Sequence, residues 1–163
     1  MVDRYIREHG RRLYGLCRHL CGNAPDADDL YQETWLKVVK NIARYDPERE
    51  FEPWLTRICV NTYRNSLRRA MRSPIFGFSD GEKQERALMC APAPQGEDYS
   101  ELYEAVERLP EKLRLAVILY YFRDMDIAAA AAALGVPAGT VKSRLNRARR
   151  LLREVLDETD LRF

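Results

Sequence analysis

Two clusters of residues in this chain could do chemistry, and in both the chemistry is hydrogen bonding and charge rather than bond making. The first lies in the run from Leu134 to Arg150. Val141, Leu145, Ala148 and Leu152 recur there at i, i+4, i+7 and i+11, an apolar stripe at helical spacing. Ser143, Asn146, Arg147 and Arg150 fall on the opposite side, with Lys142 and Arg153 beside them. Lys142 to Arg153 holds six cations and no acid. Gly135 suits the left-handed turn that closes a preceding helix, and Pro137 pre-sets φ for the next one. A helix behind a sharp glycine turn, apolar on one side and carrying donors and positive charge on the other, suits the major groove of a duplex. The bland alternative is a solvated basic helix.

In the second cluster Trp54, Asn61 and Asn65 form a stripe at i, i+7 and i+11, with Ile58 beside it and Arg57, Arg64 and Arg68 along one flank. Cys59, Val60, Tyr63 and Leu67 face the other way and can make a core. An indole can stack on a base, an amide can both donate to and accept from a base edge, and arginines track phosphates. That set suits unpaired nucleotides better than a closed duplex, because stacking needs an exposed base face. The alternative is a tryptophan wedged against a neighbouring helix. A third surface asks for a protein partner. In the run Asp26 to Lys40, Tyr31, Trp35, Val38 and Ile42 form an apolar face. Asp29, Gln32, Glu33 and Lys40 lie opposite, with Leu36 in their midst. A large apolar residue centred in an acidic and amide surface is a common interface arrangement, although a single exposed leucine needs no explanation.

The elements that must position these faces are all helical. Val2 to about Cys21 repeats apolar residues at helical spacing, Gly22 to Pro25 stops that helix, and Asp26 is placed to cap the next. Pro47 marks a loop from Arg44 to Glu52, and Pro53 fits the first turn of a third helix ending near Met71. From residue 73 to 99 the periodicity fails, and Ser73-Pro74, Gly77, Gly81, Ala91-Pro92-Ala93-Pro94 and Gly96 are linker chemistry. Ile75, Phe76, Phe78, Leu88 and Met89 are scattered in it, so parts of it could dock. Helical spacing returns at Leu102, Val106 and Leu109. Pro110 resets the chain into Glu111 to Phe122, and Asp126 to Leu134 precedes the turn and the basic helix. The expected fold class is all-α: two small helical domains, 1–72 and 100–163, joined by a flexible linker, 73–99, the C-terminal one a helix-turn-helix.

Composition agrees. The chain has 163 residues, 46% of them apolar, and a formal net charge of +2, so the distribution of charge matters more than its sum. Arg57 to Arg72 is basic without an acid, whereas Asp80 to Asp98 holds five acids against Lys83 and Arg86. Two basic helices thus flank an acidic connector, which suggests two contacts with a polyanion. No window reaches the roughly 20 apolar residues that span a bilayer, and the N-terminus lacks an apolar signal core, so a cytoplasmic protein is expected. Cys17, Cys21, Cys59 and Cys90 should then be reduced. Cys17 and Cys21 share a helix face with His19 off it, and no second ligand pair follows, so core thiols are expected and no metal or cofactor.

Both halves of the chain resemble one family, the extracytoplasmic-function (ECF) sigma factors of bacterial RNA polymerase. One matching segment runs from Leu13-Tyr14 through Gly22-Asn23-Ala24-Pro25-Asp26-Ala27-Asp28-Asp29-Leu30-Tyr31-Gln32-Glu33-Thr34-Trp35 and Arg44-Tyr45-Asp46-Pro47 to Phe51-Glu52-Pro53-Trp54 and Asn61. The other runs from Leu109-Pro110-Glu111-Lys112 to Gly139-Thr140-Val141-Lys142-Ser143-Arg144-Leu145-Asn146-Arg147-Ala148-Arg149. The resemblance implies that Asp29, Gln32, Glu33 and Leu36 bind the β′ clamp helices of polymerase core, with the β flap as a second core contact. It implies that Trp54, Arg57, Asn61, Arg64, Asn65 and Arg68 serve the −10 element, where a non-template base is flipped. It assigns −35 reading to Thr140, Lys142, Ser143, Asn146 and Arg147, and the linker to a path toward the RNA exit. An anti-sigma factor is a further implied partner. No catalytic residue is expected, because polymerase supplies the chemistry.

One departure stands out. Where the family has a Glu-Ile-Ala pattern, this chain has alanine from Ala128 to Ala133. Alanine favours the helix, but losing a branched aliphatic at Ala130 forgoes about 1–3 kcal/mol of packing, so a less stable C-terminal domain is expected. Two other readings compete. A duplex-binding regulator with a sensor or dimerisation half would share the C-terminal helix but would not need the Trp54, Asn61 and Asn65 stripe. A nucleic-acid enzyme would need clustered carboxylates, a Cys/His metal set or a Gly-rich phosphate loop, and the sequence offers none.

Overall fold

The computed structural model of the chain describes residues 2–72 and 100–158. The expected linker with its apolar residues and acidic run, and Cys90, lie outside the described residues. Every regular element among the described residues is helical. In order they are α1 (Val2–Cys21), α2 (Ala24–Asn41), a 3-10 turn (Ile42–Arg44) and α3 (Phe51–Arg72). Then come α4 (Ser100–Glu107), α5 (Glu111–Val117, running on as a π turn Ile118–Phe122), α6 (Ile127–Leu134) and α7 (Ala138–Glu158). The chain divides into two compact units, the first built on α1 to α3 and the second on α4, α5 and α7 with the start of α6.

In the first unit the three helices pack on one another. Leu13, Leu16, Cys17 and Leu20 from α1, Leu30, Trp35 and Val38 from α2, and Leu55, Cys59, Val60 and Tyr63 from α3 are buried between them. Burying each of the larger side chains contributes about 1.5–3 kcal/mol. Thr34 and Thr62 are buried too, and each satisfies its hydroxyl on the carbonyl four residues back, Leu30 and Ile58, at 2.7 Å. The Cys17 and Cys59 sulfurs lie 3.8 Å apart in this core, and neither forms a disulfide. The sulfur contact and burial push the Cys17 thiol far above its ordinary range. Cys17 is a buried core thiol, in keeping with its place on the apolar face of α1. Among the described residues no three His, Cys, Asp or Glu side chains converge as a metal group would require.

The turn between α1 and α2 corrects one expectation. Gly22 takes φ +74°, the left-handed conformation that closes α1. The cap of α2 is Asn23, not Asp26: the Asn23 Oδ1 accepts from the Asp26 backbone N–H at 2.8 Å. Asn23 Nδ2 in turn donates to Asp26 Oδ2 at 2.8 Å, so the two residues lock the first turn reciprocally. Pro25 sits inside that turn, where its missing N–H is not needed.

The loop before α3 is also shorter than expected, because Phe51 and Glu52 already belong to the helix. Phe51 is buried, stacked parallel to Tyr5 at 4.1 Å and met edge-on by Tyr45 at 5.4 Å. Arg12 of α1 pairs with Glu52 at 3.0 Å. These contacts draw the helix start two residues ahead of Pro53.

In the second unit α7 packs on α5 and α4. Val141, Leu145 and Ala148 are buried, as the helical stripe requires, and Leu152 is half-buried. Arg114 is buried as well, a charge the sequence pattern did not flag. Its guanidinium is held by Glu111 at 2.9 Å and Glu107 at 3.7 Å. Asp126 caps α6, accepting from the Ala129 N–H at 2.7 Å. Gly135 at φ +70° ends that helix in paired backbone bonds, Val136 N–H to the Ala131 carbonyl and Gly135 N–H to that of Ala132.

Ala130 is buried where a branched residue would cover more area. The second unit is therefore expected to melt below the first. Both tryptophans, Trp35 and Trp54, lie in the first unit, so indole fluorescence follows that unit alone while circular dichroism follows both. The dichroism transition should begin at lower temperature than the fluorescence transition; coincident transitions would refute this.

Candidate nucleic-acid interface

On α7 the structure puts Lys142, Ser143, Asn146, Arg147, Arg150 and Arg153 on the exposed side and half-buries Thr140. The face is fixed by the burial of Val141, Leu145 and Ala148, since a helix that hides one stripe must present the other. Ser143 returns its hydroxyl to the Gly139 carbonyl at 3.2 Å. Asn146 Oδ1 accepts from Arg149 Nη1 at 2.8 Å, and Arg149 Nε donates to the Tyr121 hydroxyl at 2.6 Å. Arg149 and Tyr121 thereby join this surface, although neither is among the residues expected to read DNA. The i, i+3 spacing of Asn146 and Arg149 was the available signal; Tyr121, 28 residues away, had none.

On α3, Arg57, Asn61, Asn65 and Arg68 are exposed and Ile58 and Arg64 are half-buried. Trp54 is half-buried and divides its role. Its ring stacks on Tyr45 at 4.9 Å and 28° and tilts against Phe51 at 5.6 Å. Its aromatic neighbours are thus Tyr45 from the loop and Phe51 from the first turn of its own helix. Tyr45 is itself tied down, its hydroxyl donating to the Arg49 carbonyl. Tyr45 thus pins the loop against the start of α3, and the exposed Asn61 and Asn65 follow about two and three turns further along that helix, with Arg57 and Arg68 exposed on it as well.

On α2, Asp29 and Gln32 are exposed and Leu36 is 60% exposed. Val39, three residues on, is 53% exposed and extends the apolar patch, a residue the sequence reading left unassigned. Glu33 is half-buried and engaged: its Oε1 lies 3.1 Å from Arg69 of α3 and 4.0 Å from Lys37. Leu36 and Val39 thus form an exposed apolar pair with Asp29, Gln32 and Lys40 around it, an arrangement common in protein interfaces.

Comparisons with known protein families give a match in each half of the chain. The models for Sigma-70 region 2 and Sigma-70 region 4 match residues 5–73 and 99–152. The ECF RNA polymerase sigma factor SigE of Mycolicibacterium smegmatis is 35% identical over 94% of this chain, which spans 61% of that relative's length. The ECF sigma factor EcfG of Rhodopseudomonas palustris is 36% identical over 84% of this chain and 75% of its own. The sigma factor NccH of Alcaligenes xylosoxydans is 32% identical over 96% and 87%. Among solved structures, CnrH in complex with the cytosolic domain of CnrY superposes with a TM-score of 0.68 at 25% identity, covering 96% of this chain and 87% of that one. The sigma factor RpoE of Bartonella quintana, bound to the anti-sigma factor NepR, shares the fold with a TM-score of 0.74 at 24% identity over 96% of each chain. With two regions matched in order and relatives above 30% identity covering most of their own length, the chain belongs to the ECF family of RNA polymerase sigma factors.

Proposed function

We propose that the chain is a promoter-specificity subunit that binds polymerase core, directs it to particular promoters and helps to open the −10 region. The observation that carries this is the juxtaposition, on two packed helices, of an exposed Leu36–Val39 pair among polar residues and an exposed Asn61–Asn65 stripe among arginines. A simple duplex-binding regulator has no use for the second surface. In this reading Asp29, Gln32, Leu36 and Val39 meet the β′ clamp helices, and Glu33 supports them through its bridge to Arg69. The Trp54–Tyr45 stack offers an aromatic platform for a flipped base, Asn61 and Asn65 offer their amides to base edges further along the same helix, and Arg57, Arg64 and Arg68 follow the backbone. Flipping costs a few kcal/mol, offset by that stacking and hydrogen bonding. Lys142, Ser143, Asn146 and Arg147 read the −35 duplex and Thr140 flanks them, residues 73–99 link the two domains, and the second domain also touches the β flap. An anti-sigma factor is a further partner. The chain acts in the cytoplasm and catalyses nothing itself, since polymerase supplies the chemistry; no helix among the described residues is long and apolar enough to cross a membrane.

Run-off transcription with bacterial core polymerase on a library of randomised promoters tests the function and reads the specificity together. Transcripts that depend on the chain and share two spaced elements are the expected result. A chain that neither co-purifies with core nor redirects it would favour the regulator reading. In the same assay Arg147→Ala should relax preference at one upstream base pair by about 1–3 kcal/mol. An even loss across all sequences would mean that Arg147 touches only phosphate.

A further inference from the structure

We infer that Arg149, braced by Tyr121, fixes which end of the Asn146 amide is offered to DNA, so that this position of α7 reads a base through its acceptors. The inference rests on the −35 role proposed for α7 and adds to it the chemistry of one contact and two residues that set it.

An asparagine amide is two-faced: its oxygen accepts, its nitrogen donates, and a half-turn about χ2 exchanges them. Left free on a helix surface it can satisfy bases of either polarity. Here it is not free. Arg149 Nη1 lies 2.8 Å from the amide of Asn146, one turn earlier on the same face. Arginine has donors only, so the atom it meets must be the oxygen. With one lone pair of that oxygen taken, the two N–H donors of the nitrogen are the larger share of what the amide offers a ligand. Arg149 could swing away if it stood alone, but Tyr121 holds it twice: the hydroxyl accepts from Nε at 2.6 Å, and the guanidinium lies 5.6 Å from the ring centroid in cation–π range.

Tyr121 is in turn positioned by the backbone of α5. The helix widens there into a π turn, Ile118–Phe122, with the Arg123 N–H reaching back to the Ile118 carbonyl at 3.0 Å. The extra residue changes the phase of the helix by nearly a third of a turn, and such bulges recur at functional sites. Tyr120 meets the Tyr121 ring edge-on at 4.9 Å. The chain of contacts from π turn to tyrosine to arginine to amide lies within one compact unit, and each link is a hydrogen bond or a ring contact of ordinary length.

The expected ligand is a base edge that presents acceptors to the major groove, the O6 and N7 of guanine foremost, and not the N4 amine of cytosine. The test uses holoenzyme reconstituted from the full chain and polymerase core, with promoters selected from a library randomised through the upstream element. Asn146→Ala should erase preference at a single base pair and so identify it; in the unmodified chain that position should be guanine or another acceptor edge. Arg149→Ala and Tyr121→Phe should each weaken preference there by about 5- to 10-fold while the other positions keep theirs. Asn146→Asp, held by the same arginine but with no donor left, should turn the preference toward cytosine. Circular dichroism confirms that each variant folds. An even loss of recovery in Arg149→Ala would show a phosphate contact only, and an unchanged profile in both Arg149→Ala and Tyr121→Phe would show no polarity control; either overturns the inference, as would cytosine at the Asn146 position in the unmodified chain. A flat upstream profile in the unmodified chain would instead overturn the −35 reading itself, and this inference with it.

Discussion

Leu36→Asp is expected to weaken binding to polymerase core by about 30- to 1000-fold, the range of a hot-spot loss of about 2–4 kcal/mol, while the helices stay folded. Leu36 is 60% exposed, so the free chain loses almost no packing and its melting should shift by no more than an exposed substitution does, about 0.5 kcal/mol. In the complex the same carboxylate would be desolvated in the middle of an apolar contact, with Val39 as its neighbour. A pull-down with core, read beside circular dichroism of the free chain, measures both. Glu33→Lys is a poorer probe of this face than its sequence position suggests. It would put a third cation beside Arg69 and Lys37, which now share the carboxylate, so lost binding could reflect a disturbed α2–α3 contact. If Leu36→Asp binds core as well as the unmodified chain does, the interface lies elsewhere.

Asn61→Ala should leave core binding intact and reduce open-complex formation by about 5- to 150-fold, the loss of one or two hydrogen bonds of about 1–3 kcal/mol. The side chain is exposed on α3, and alanine favours a helix more than asparagine does, so folding should not suffer. Permanganate reactivity of unpaired thymines at the −10 region, measured with reconstituted holoenzyme, reports the open complex directly. Its pre-melted counterpart is informative: on a template already mismatched over the −10 region the defect should shrink, because the unpairing cost is gone. Loss of core binding in Asn61→Ala would instead assign this face to the polymerase.

Much of the molecule was legible because a helix has one short period. The burial of Val141, Leu145 and Ala148 follows from their spacing, and so does the exposure of Lys142, Ser143, Asn146 and Arg147 opposite them. The same holds for Leu36 on α2 and for Asn61 and Asn65 on α3. Helix ends were harder. Asn23 and Asp26 are both capping residues three apart, and only their reciprocal hydrogen bonds decide that Asn23 is the cap. Nothing adjacent to Phe51 in sequence marks it as helical; it is drawn into α3 by Tyr5 and Trp35, which come from other helices.

Residue spacing was enough for the all-helical class, for the exposed faces of α2, α3 and α7 and, through two long ordered motifs, for the family. These are properties of short-range spacing and residue type. Only the packing of the helices shows which side chains are already engaged: Glu33 with Arg69, Trp54 with Tyr45, the buried Arg114 with two glutamates, Asn146 with Arg149 and Arg149 with Tyr121. Most of those contacts join residues on different elements, and even the i, i+3 pairs need rotamers that spacing does not set. A periodic pattern specifies the direction in which a side chain leaves its helix; the partner that it meets depends on the docking of other elements, whose contacts carry no local signature in the chain.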